Sequence, residues 1–288
     1  MPKWTSADLP RMDGRTVVVT GAGGGLGLIT ARELARAGAR VIAAVRDPSR
    51  AALAGLPGSV EVRRLDVADL RSVRAFAEAF DGPLDVLINN AGVMDIPAQR
   101  TADGFDLQTA TNYLGPFVLT NLLLSRITDR VVSVSSQLHR RAHLDLGDLD
   151  WRARPYNPMQ AYCDSKLAVV LFSLELQRRL AASGRPLRSV LAHPGIATTS
   201  LAAHSSANRV NRLGFLLNDA EHGALPTLYA ATQDVPGNAY VGPGGPGSIK
   251  GYPVVRQPGK AGRDAQVARQ LWTATTALTG VGAQPATA

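Results

Sequence analysis

The β-branched run Thr16-Val17-Val18-Val19-Thr20 passes without a spacer into Gly21-Ala22-Gly23-Gly24-Gly25-Leu26-Gly27. Apolar residues then recur at helical spacing from Leu26 to Ala37, and Gly38 supplies a stop. Few architectures accept such a junction. A buried strand that turns on glycines into a helix leaves backbone N–H groups exposed at the helix N-terminus, and the missing side chains let an anionic group approach them closely. With a second strand at Val41 to Val45, the first third of the chain opens on one βαβ unit.

The alternation continues with strands near Val60 to Leu65, Val86 to Asn89, Arg130 to Ser135 and Arg188 to Ala192. Helices are expected near Leu70 to Phe80, Phe105 to Leu124 and Gln160 to Leu180. Such a pattern predicts a single α/β domain over residues 1–288, a Rossmann-type doubly wound parallel sheet of about seven strands with helices on both faces. Beyond Gly195 the periodicity weakens. Residues 196–215 read as a substrate loop or lid, since Thr198 to Arg212 is rich in Ser, Ala, Thr and Asn. Helical character returns from Asp219 to Thr232. Gly237 to Pro258 is dense in Gly and Pro around one short strand at Tyr240-Val241, Asp264 to Leu278 reads as a final amphipathic helix, and 281–288 as a frayed tail.

Composition narrows the functional classes. Of 288 residues 45% are hydrophobic and 19% charged, and no apolar run approaches the roughly 18 residues of a membrane span. The N-terminal segment lacks the apolar stretch of a secretory signal, and the single cysteine, Cys163, can form no intrachain disulfide, so a cytoplasmic setting is expected. The net charge of +8 comes from scattered Arg and Lys with only 5% aromatics, which reads as a solvated surface that suits a polyanionic cofactor rather than nucleic acid.

Five motifs then follow one another: Thr20-Gly21-x-x-x-Gly25-x-Gly27, Asn89-Asn90-Ala91-Gly92, Ser136, Tyr162-x-x-x-Lys166 and Pro194-Gly195. Over about residues 14–200 the chain thereby resembles the short-chain dehydrogenase/reductase family. The segment from Asn112 to Leu123, Asp148 to Trp151, Tyr156-Asn157-Pro158 and His193-Pro194-Gly195 look like its retinol-dehydrogenase-like branch. The resemblance implies hydride transfer between NAD(P)(H) and a carbonyl or alcohol. It implies that Gly21, Gly25, Leu26 and Gly27 hold the pyrophosphate, and that Asp66 and Val67 border the adenine. Asn90, Ala91 and Gly92 would then lie beside the cofactor, with Pro194, Gly195 and Thr199 around the nicotinamide carboxamide. It further implies that Asn112 holds a water linking Lys166 to solvent. Competing local readings remain: a helix-start turn for Asp66, a helix cap for Thr199, a helix-distorting structural amide for Asn112.

The residues themselves support acid–base chemistry. A tyrosine has an ordinary pKa near 10, and Lys166, four residues after Tyr162 on one helical face, is expected to favour its phenolate. Ser136, with Ser135 as competitor, would place a hydroxyl on the substrate oxygen. After the second strand Val45 occupies the slot where an acid would accept the ribose hydroxyls of NAD, and Arg46 follows, which favours the 2′-phosphate of NADP(H). Asp47 leaves NAD(H) open. The long interval between Ser136 and Tyr162 reads as a substrate-side wall, with Met94, Leu138, His139, Tyr156, Ile196 and Leu201 as candidate lining of a largely apolar pocket. Its His139, His143, Asp145, Asp148 and Asp150 lack metal-site spacing, and Cys163 reads as a packed, inert thiol. The expected function is NADP(H)-dependent interconversion of a carbonyl and an alcohol on a lipophilic small molecule. The alternative is a silent NADP(H)-binding sensor or scaffold. The helix at Gln160 to Leu180, an interface in a homo-oligomer or a surface covered by the C-terminal segment, leaves oligomeric state open.

Overall fold

A computed structural model describes residues 3–50, 53, 55–195 and 219–282. Eight strands form one sheet: β1 (Thr16–Thr20), β2 (Arg40–Val45), β3 (Ser59–Arg64), β4 (Leu84–Asn89), β5 (Ile127–Val134), β6 (Arg188–Ala192), β7 (Tyr240–Pro243) and β8 (Pro253–Arg256). Their spatial order is β3-β2-β1-β4-β5-β6-β7-β8, parallel throughout except for the antiparallel β7–β8 pair. This is the Rossmann-type α/β fold, with one strand more than the seven expected. The additional strand escapes sequence reading because it is four residues long, starts at a proline and lies on the sheet edge, where a missing N–H is tolerated.

Alternation along the strands divides the core in two. Val17 and Val19 face a layer made by α1 (Gly25–Arg36) and α6 (Ala220–Thr232), with Ile29, Leu34, Ala224 and Leu228 packed beneath them. Val18, Ile42 and Leu87 face the opposite layer, formed by α2 (Leu70–Glu78), α4 (Gly115–Leu123), α5 (Pro158–Ala182) and α7 (Ala265–Thr279). Each fully buried aliphatic side chain here contributes about 1.5–3 kcal/mol of transfer free energy. Helix α7 covers α5: Trp272 stacks on Phe172 at 5.7 Å, and the Arg179 guanidinium lies 4.4 Å over the same indole. Gly282 accepts a 2.8 Å bond from Trp272 Nε1, and Val281 packs on the core.

The chain leaves β1 for β2 and β3 on one side, then returns to β4 on the other. A crevice therefore opens past the carboxyl ends of β1 and β4, the place where ligands bind in open sheets of this kind.

The helix expected over Phe105 to Leu124 is interrupted. A short α3 (Leu107–Thr109) leads into a π turn, Ala110–Leu114, and then into α4. Gly115 N–H reaches back five residues to the carbonyl of Ala110. Pro116 has no N–H to offer the carbonyl of Asn112, four residues before it. The interruption thus sits at Asn112, and π turns inside helices recur at functional sites.

Candidate active site

At the crevice the first turn is built on one threonine. Thr20, fully buried at the end of β1, accepts through Oγ1 from the backbone N–H groups of Asn90 and Ala91, both at 3.0 Å, and Asn90 Nδ2 donates to its carbonyl at 2.8 Å. These bonds lock the end of β1 to the end of β4. Gly21 turns with φ +66°, and a Cβ on Gly27 would run into Gly21 O and Asn90 Nδ2, so α1 can start this close to β4 only with glycine there. Around Gly24 and Gly25, by contrast, an added Cβ would meet nothing within 4 Å. Their backbone faces open space at the mouth of α1. Thr20 was absent from the sequence-based candidates, although the threonine of the glycine motif marks it.

Past this turn lies a cleft of about 630 Å³. Gly21, Gly25, Leu26, Gly27, Arg46, Asp66, Val67, Asn90, Ala91, Gly92, Tyr162, Lys166 and Pro194 all line it, so most of the sequence-predicted cofactor set converges on one space. Val93, Leu107 and Thr111 also line it and were not among the residues expected. Arg46 is exposed after β2. The neighbouring Asp47 accepts through Oδ1 from the N–H and hydroxyl of Ser49, at 3.1 and 2.6 Å, as a helix-start carboxylate does. Asp66 likewise accepts from Ala68 N–H at 3.0 Å, so it serves a turn as well as bordering the cleft. Gly195 adopts φ +76° and donates to His193 Nδ1 at 3.3 Å. Thr199, Ile196 and Leu201, with the rest of the expected lid, lie outside the described residues.

Tyr162 and Lys166 line the cleft together with Ser135, and Ser136 lies next to Tyr162 without lining it. Ser135 Oγ donates to the carbonyl of Lys166 at 2.9 Å. Ser136 Oγ instead accepts from Leu138 N–H at 3.2 Å, and its hydroxyl lies near enough to the Tyr162 phenol to favour the phenolate. Burial pushes that phenol up to about 12, and the Ser136 hydroxyl offsets only part of the rise. The same burial lowers Lys166 to about 8. The expectation that Lys166 favours the phenolate is therefore not met in the ligand-free site. Lys166 Nζ lies 5.7 Å from the centroid of the Tyr162 ring, and burial moves each group toward its neutral form.

Asn112 is buried, and its amide grips the strand end opposite. Oδ1 accepts from Val93 N–H at 2.8 Å, while Nδ2 donates to Val93 O and to Ser165 Oγ, both at 2.9 Å. Ser165 Oγ donates in turn to the carbonyl of Tyr162 at 2.8 Å. The side chain is thus a clamp between the Val93 loop and the first turns of α5. With its side chain so engaged, any water held by Asn112 falls to its main-chain carbonyl, which Pro116 leaves without the usual helical donor.

The segment between Ser136 and Tyr162 departs from expectation. His139 is buried and bonds Ser136 O and Gly259 N–H rather than lining the cleft, and Tyr156 Oη accepts from Gln108 Nε2 at 2.8 Å. Asp150 pairs with Arg100 and Arg152, Asp164 with Arg154, and Asp148 accepts from Arg152 N–H. Among the described residues no cluster of His, Cys, Asp or Glu could hold a metal ion. Burial pushes the Cys163 thiol up to about 11, which makes it a poor nucleophile. No described helix is long and apolar enough to cross a membrane.

The family model of the short chain dehydrogenases matches residues 15–210. This chain belongs to the short-chain dehydrogenase/reductase family. It is 40% identical to human (Homo sapiens) retinol dehydrogenase 13, over 94% of this chain and 86% of that one, and 39% identical to mouse (Mus musculus) polyprenol dehydrogenase over 95% and 86%. Among solved structures, an uncharacterized protein from Mycobacterium paratuberculosis superposes with a TM-score of 0.87 at 50% identity, covering 97% of this chain and 98% of that one. A structure assigned as an NAD(P)-dependent gluconate 5-dehydrogenase from Beutenbergia cavernae, with NADP bound, gives a TM-score of 0.56 at 28% identity over 77% and 90%. The chain is therefore an oxidoreductase of the retinol-dehydrogenase-like branch, working with NAD(P)(H) on the carbonyl or alcohol group of a small molecule.

Proposed function

We propose that this short-chain dehydrogenase/reductase is an NADP(H)-dependent enzyme that reduces lipophilic aldehydes or ketones and oxidises the matching alcohols, with Tyr162 as its acid–base group. The observation that carries this reading is the convergence of Tyr162 and Lys166 on the same cleft as the glycine turn, with Ser136 beside Tyr162. The residues fit the dinucleotide: Gly24 and Gly25 leave room for a pyrophosphate at the start of α1, and Arg46 supplies a cation where a 2′-phosphate would lie. Asp47 is occupied with Ser49, which favours the phosphate over a ribose hydroxyl.

A bound nicotinamide supplies the hydride in reduction and receives it in oxidation. The chain handles the proton. With its pKa near 12, Tyr162 is a protonated phenol at neutral pH, ready to donate from Oη to an oxygen that gains charge as a carbonyl is reduced. Ser136 Oγ accepts from Leu138 N–H, and its hydroxyl proton, aimed toward Tyr162 in the ligand-free site, would stabilise the same oxygen once a substrate is bound. For oxidation the phenolate must form. In the ligand-free site burial opposes it, so the positive charge that an oxidised nicotinamide would bring beside Lys166 is what would favour it.

Val93 and Leu107 give the cleft apolar walls. Retinol and polyprenol, after which two relatives are named, are lipophilic alcohols, and this supports the proposed substrate class. A cytoplasmic setting, in keeping with the single thiol Cys163, belongs to the same reading.

The test is to titrate the protein with NADPH and NADH, then to follow reduced-nicotinamide absorbance with a panel of lipophilic aldehydes, ketones and quinones. Tighter binding of NADPH and turnover on members of the panel are expected. Equal affinity for NADH would overturn the cofactor assignment. NADPH binding without turnover on any member would favour a silent nucleotide sensor.

A further inference from the structure

His139 was expected on the cleft wall, yet it is 1% exposed and both ring nitrogens are occupied. Nδ1 lies 2.6 Å from the carbonyl oxygen of Ser136. Nε2 lies 2.8 Å from the backbone nitrogen of Gly259, 120 residues away in sequence. A backbone N–H can only donate, so Nε2 must be the bare, accepting nitrogen, and the ring proton must then be on Nδ1, donating to Ser136 O. The two contacts define one tautomer. Burial, reinforced by the charge of Arg140, lowers the pKa of the ring and keeps it neutral, which agrees with the geometry.

Two further contacts hold the ring. Tyr240 of β7 meets its face at 5.5 Å, edge to face, and Arg140 Nη2 donates to Gln257 O at 3.0 Å, two residues before Gly259. Gly259 packs against the imidazole so closely that an added Cβ would lie 3.1 Å from Nε2. The turn after β5 that carries Ser136 is thereby tied to the segment that follows β8.

We infer that His139 is a positioning residue for the reaction: in its Nδ1–H form it pins the Ser136 main chain to the Gly259 amide, and so fixes where the turn after β5 presents the Ser136 hydroxyl. The inference rests on the oxidoreductase reading given above and adds to it a residue that does not touch the substrate. Ser136 needs such support. Its backbone is extended, at φ −144° and ψ 152°, and it caps a 3-10 helix of only five residues, Gln137–Arg141. A displacement of about 1 Å in a catalytic group can lower a rate about 100-fold.

The experiment compares three variants and one double variant, after NADPH turnover by the wild type has been measured. His139→Phe keeps the ring shape and deletes both bonds. His139→Asn places an amide N–H where Nδ1 stood and keeps the donor to Ser136, whereas His139→Gln places an acceptor where Nε2 stood and keeps only the Gly259 bond. His139→Phe should lower kcat about 10- to 100-fold, with the KM for NADPH changed less than about two-fold. His139→Asn should retain more of kcat than His139→Gln. In a Ser136→Ala background, His139→Phe should have little further effect, because the residue acts through the serine.

Wild-type kcat in His139→Phe, a full multiplicative loss in the double variant, or Gln outperforming Asn would overturn the inference while leaving the oxidoreductase reading intact. A readout free of turnover uses the ring nitrogens of the wild type in 15N-resolved NMR. A protonated Nδ1 and a bare Nε2 are expected, and the opposite tautomer overturns the inference even if no substrate is found.

Discussion

Lys166 Nζ donates a 3.0 Å hydrogen bond to the main-chain carbonyl of Val134, the last residue of β5. A single neutral acceptor is poor compensation for a buried ammonium, and Lys166 is 4% exposed. Its folded pKa of about 8 lies below the ordinary 10.5, so between those pH values the unfolded chain binds more protons than the folded one. Stability must then rise with pH across that window, and the full penalty is present below about 8. Lys166→Met should therefore stabilise the ligand-free protein at pH 7 by about 1–3 kcal/mol, allowing for the bond lost at Val134, while lowering turnover. Urea unfolding of both proteins at pH 7 and pH 10 checks this. The stability gap should narrow at the higher pH, and a gap that is absent at pH 7 would contradict the buried-charge account.

The proposed NADP(H) preference rests on Arg46. It is exposed and has Val45 before it where an acidic residue would serve NAD, so Arg46→Ala should weaken NADPH by about 1.5–3 kcal/mol and leave NADH nearly unchanged. Fluorescence titration with the two nucleotides measures the difference directly. Equal weakening of both would mean that Arg46 supports the turn rather than reading the phosphate.

Asn112 is predicted to matter for stability before it matters for chemistry. Truncation to alanine leaves the N–H and the carbonyl of Val93 without their partner in a part-buried site and frees Ser165. A loss of about 2–4 kcal/mol is expected in urea unfolding, with faster amide exchange at Val93. Unchanged protection of Val93 would show that the clamp is dispensable.

The parts of this molecule that sequence made legible are those where a residue type has few alternative uses. The run Thr16–Thr20 into Gly21, Gly25 and Gly27 demands a strand, a turn and a helix start, and the four-residue step from Tyr162 to Lys166 puts both on one face of α5. A helix distortion at Asn112 was open as one reading of its buried amide, but its π form was hidden because one extra residue in a helical turn barely alters the apolar periodicity from Leu107 to Leu123. Edge strand β8 was hidden by its proline and by its half-exposed alternation, with Val255 turned outward. The contact of His139 with Gly259 joins residues 120 apart, and neither carries a local pattern that points to the other.

Gly27 tests the phosphate turn sterically. A methyl group there would collide with Gly21 O and Asn90 Nδ2, so α1 must move away from β4 or the Asn90–Thr20 bond must break. Gly27→Ala should weaken NADPH at least about ten-fold and lower the unfolding temperature, since overpacking of this kind costs about 1–3 kcal/mol. Gly24→Ala, where the methyl meets no protein atom, should leave the ligand-free stability nearly unaltered. Any loss of NADPH affinity in that variant would then report the ligand's own approach to the turn. Equal thermal shifts in the two variants would contradict this division of roles.

Tyr162→Phe isolates the proton. The phenol is buried beside Ser136, and its ring lies in the first turns of α5, so phenylalanine keeps the packing and deletes one polar atom. Fold and NADPH affinity should be retained, whereas single-turnover reduction of a panel substrate should fall about 10²–10⁴-fold, the usual worth of a positioned acid. The pH profile of the wild type adds a second constraint. Tyr162 stays protonated up to about 12, so it cannot cause a decline in the reductive rate at moderately alkaline pH, but Lys166 begins to lose its charge near 8. The reductive rate should therefore weaken above about 8 in the wild type, and Lys166→Arg, whose cation does not titrate in this range, should flatten that limb if the longer side chain is accommodated. A Tyr162→Phe protein that turns over at the wild-type rate would refute the acid–base role outright. A fully lost rate accompanied by lost NADPH binding would instead assign Tyr162 to the cofactor.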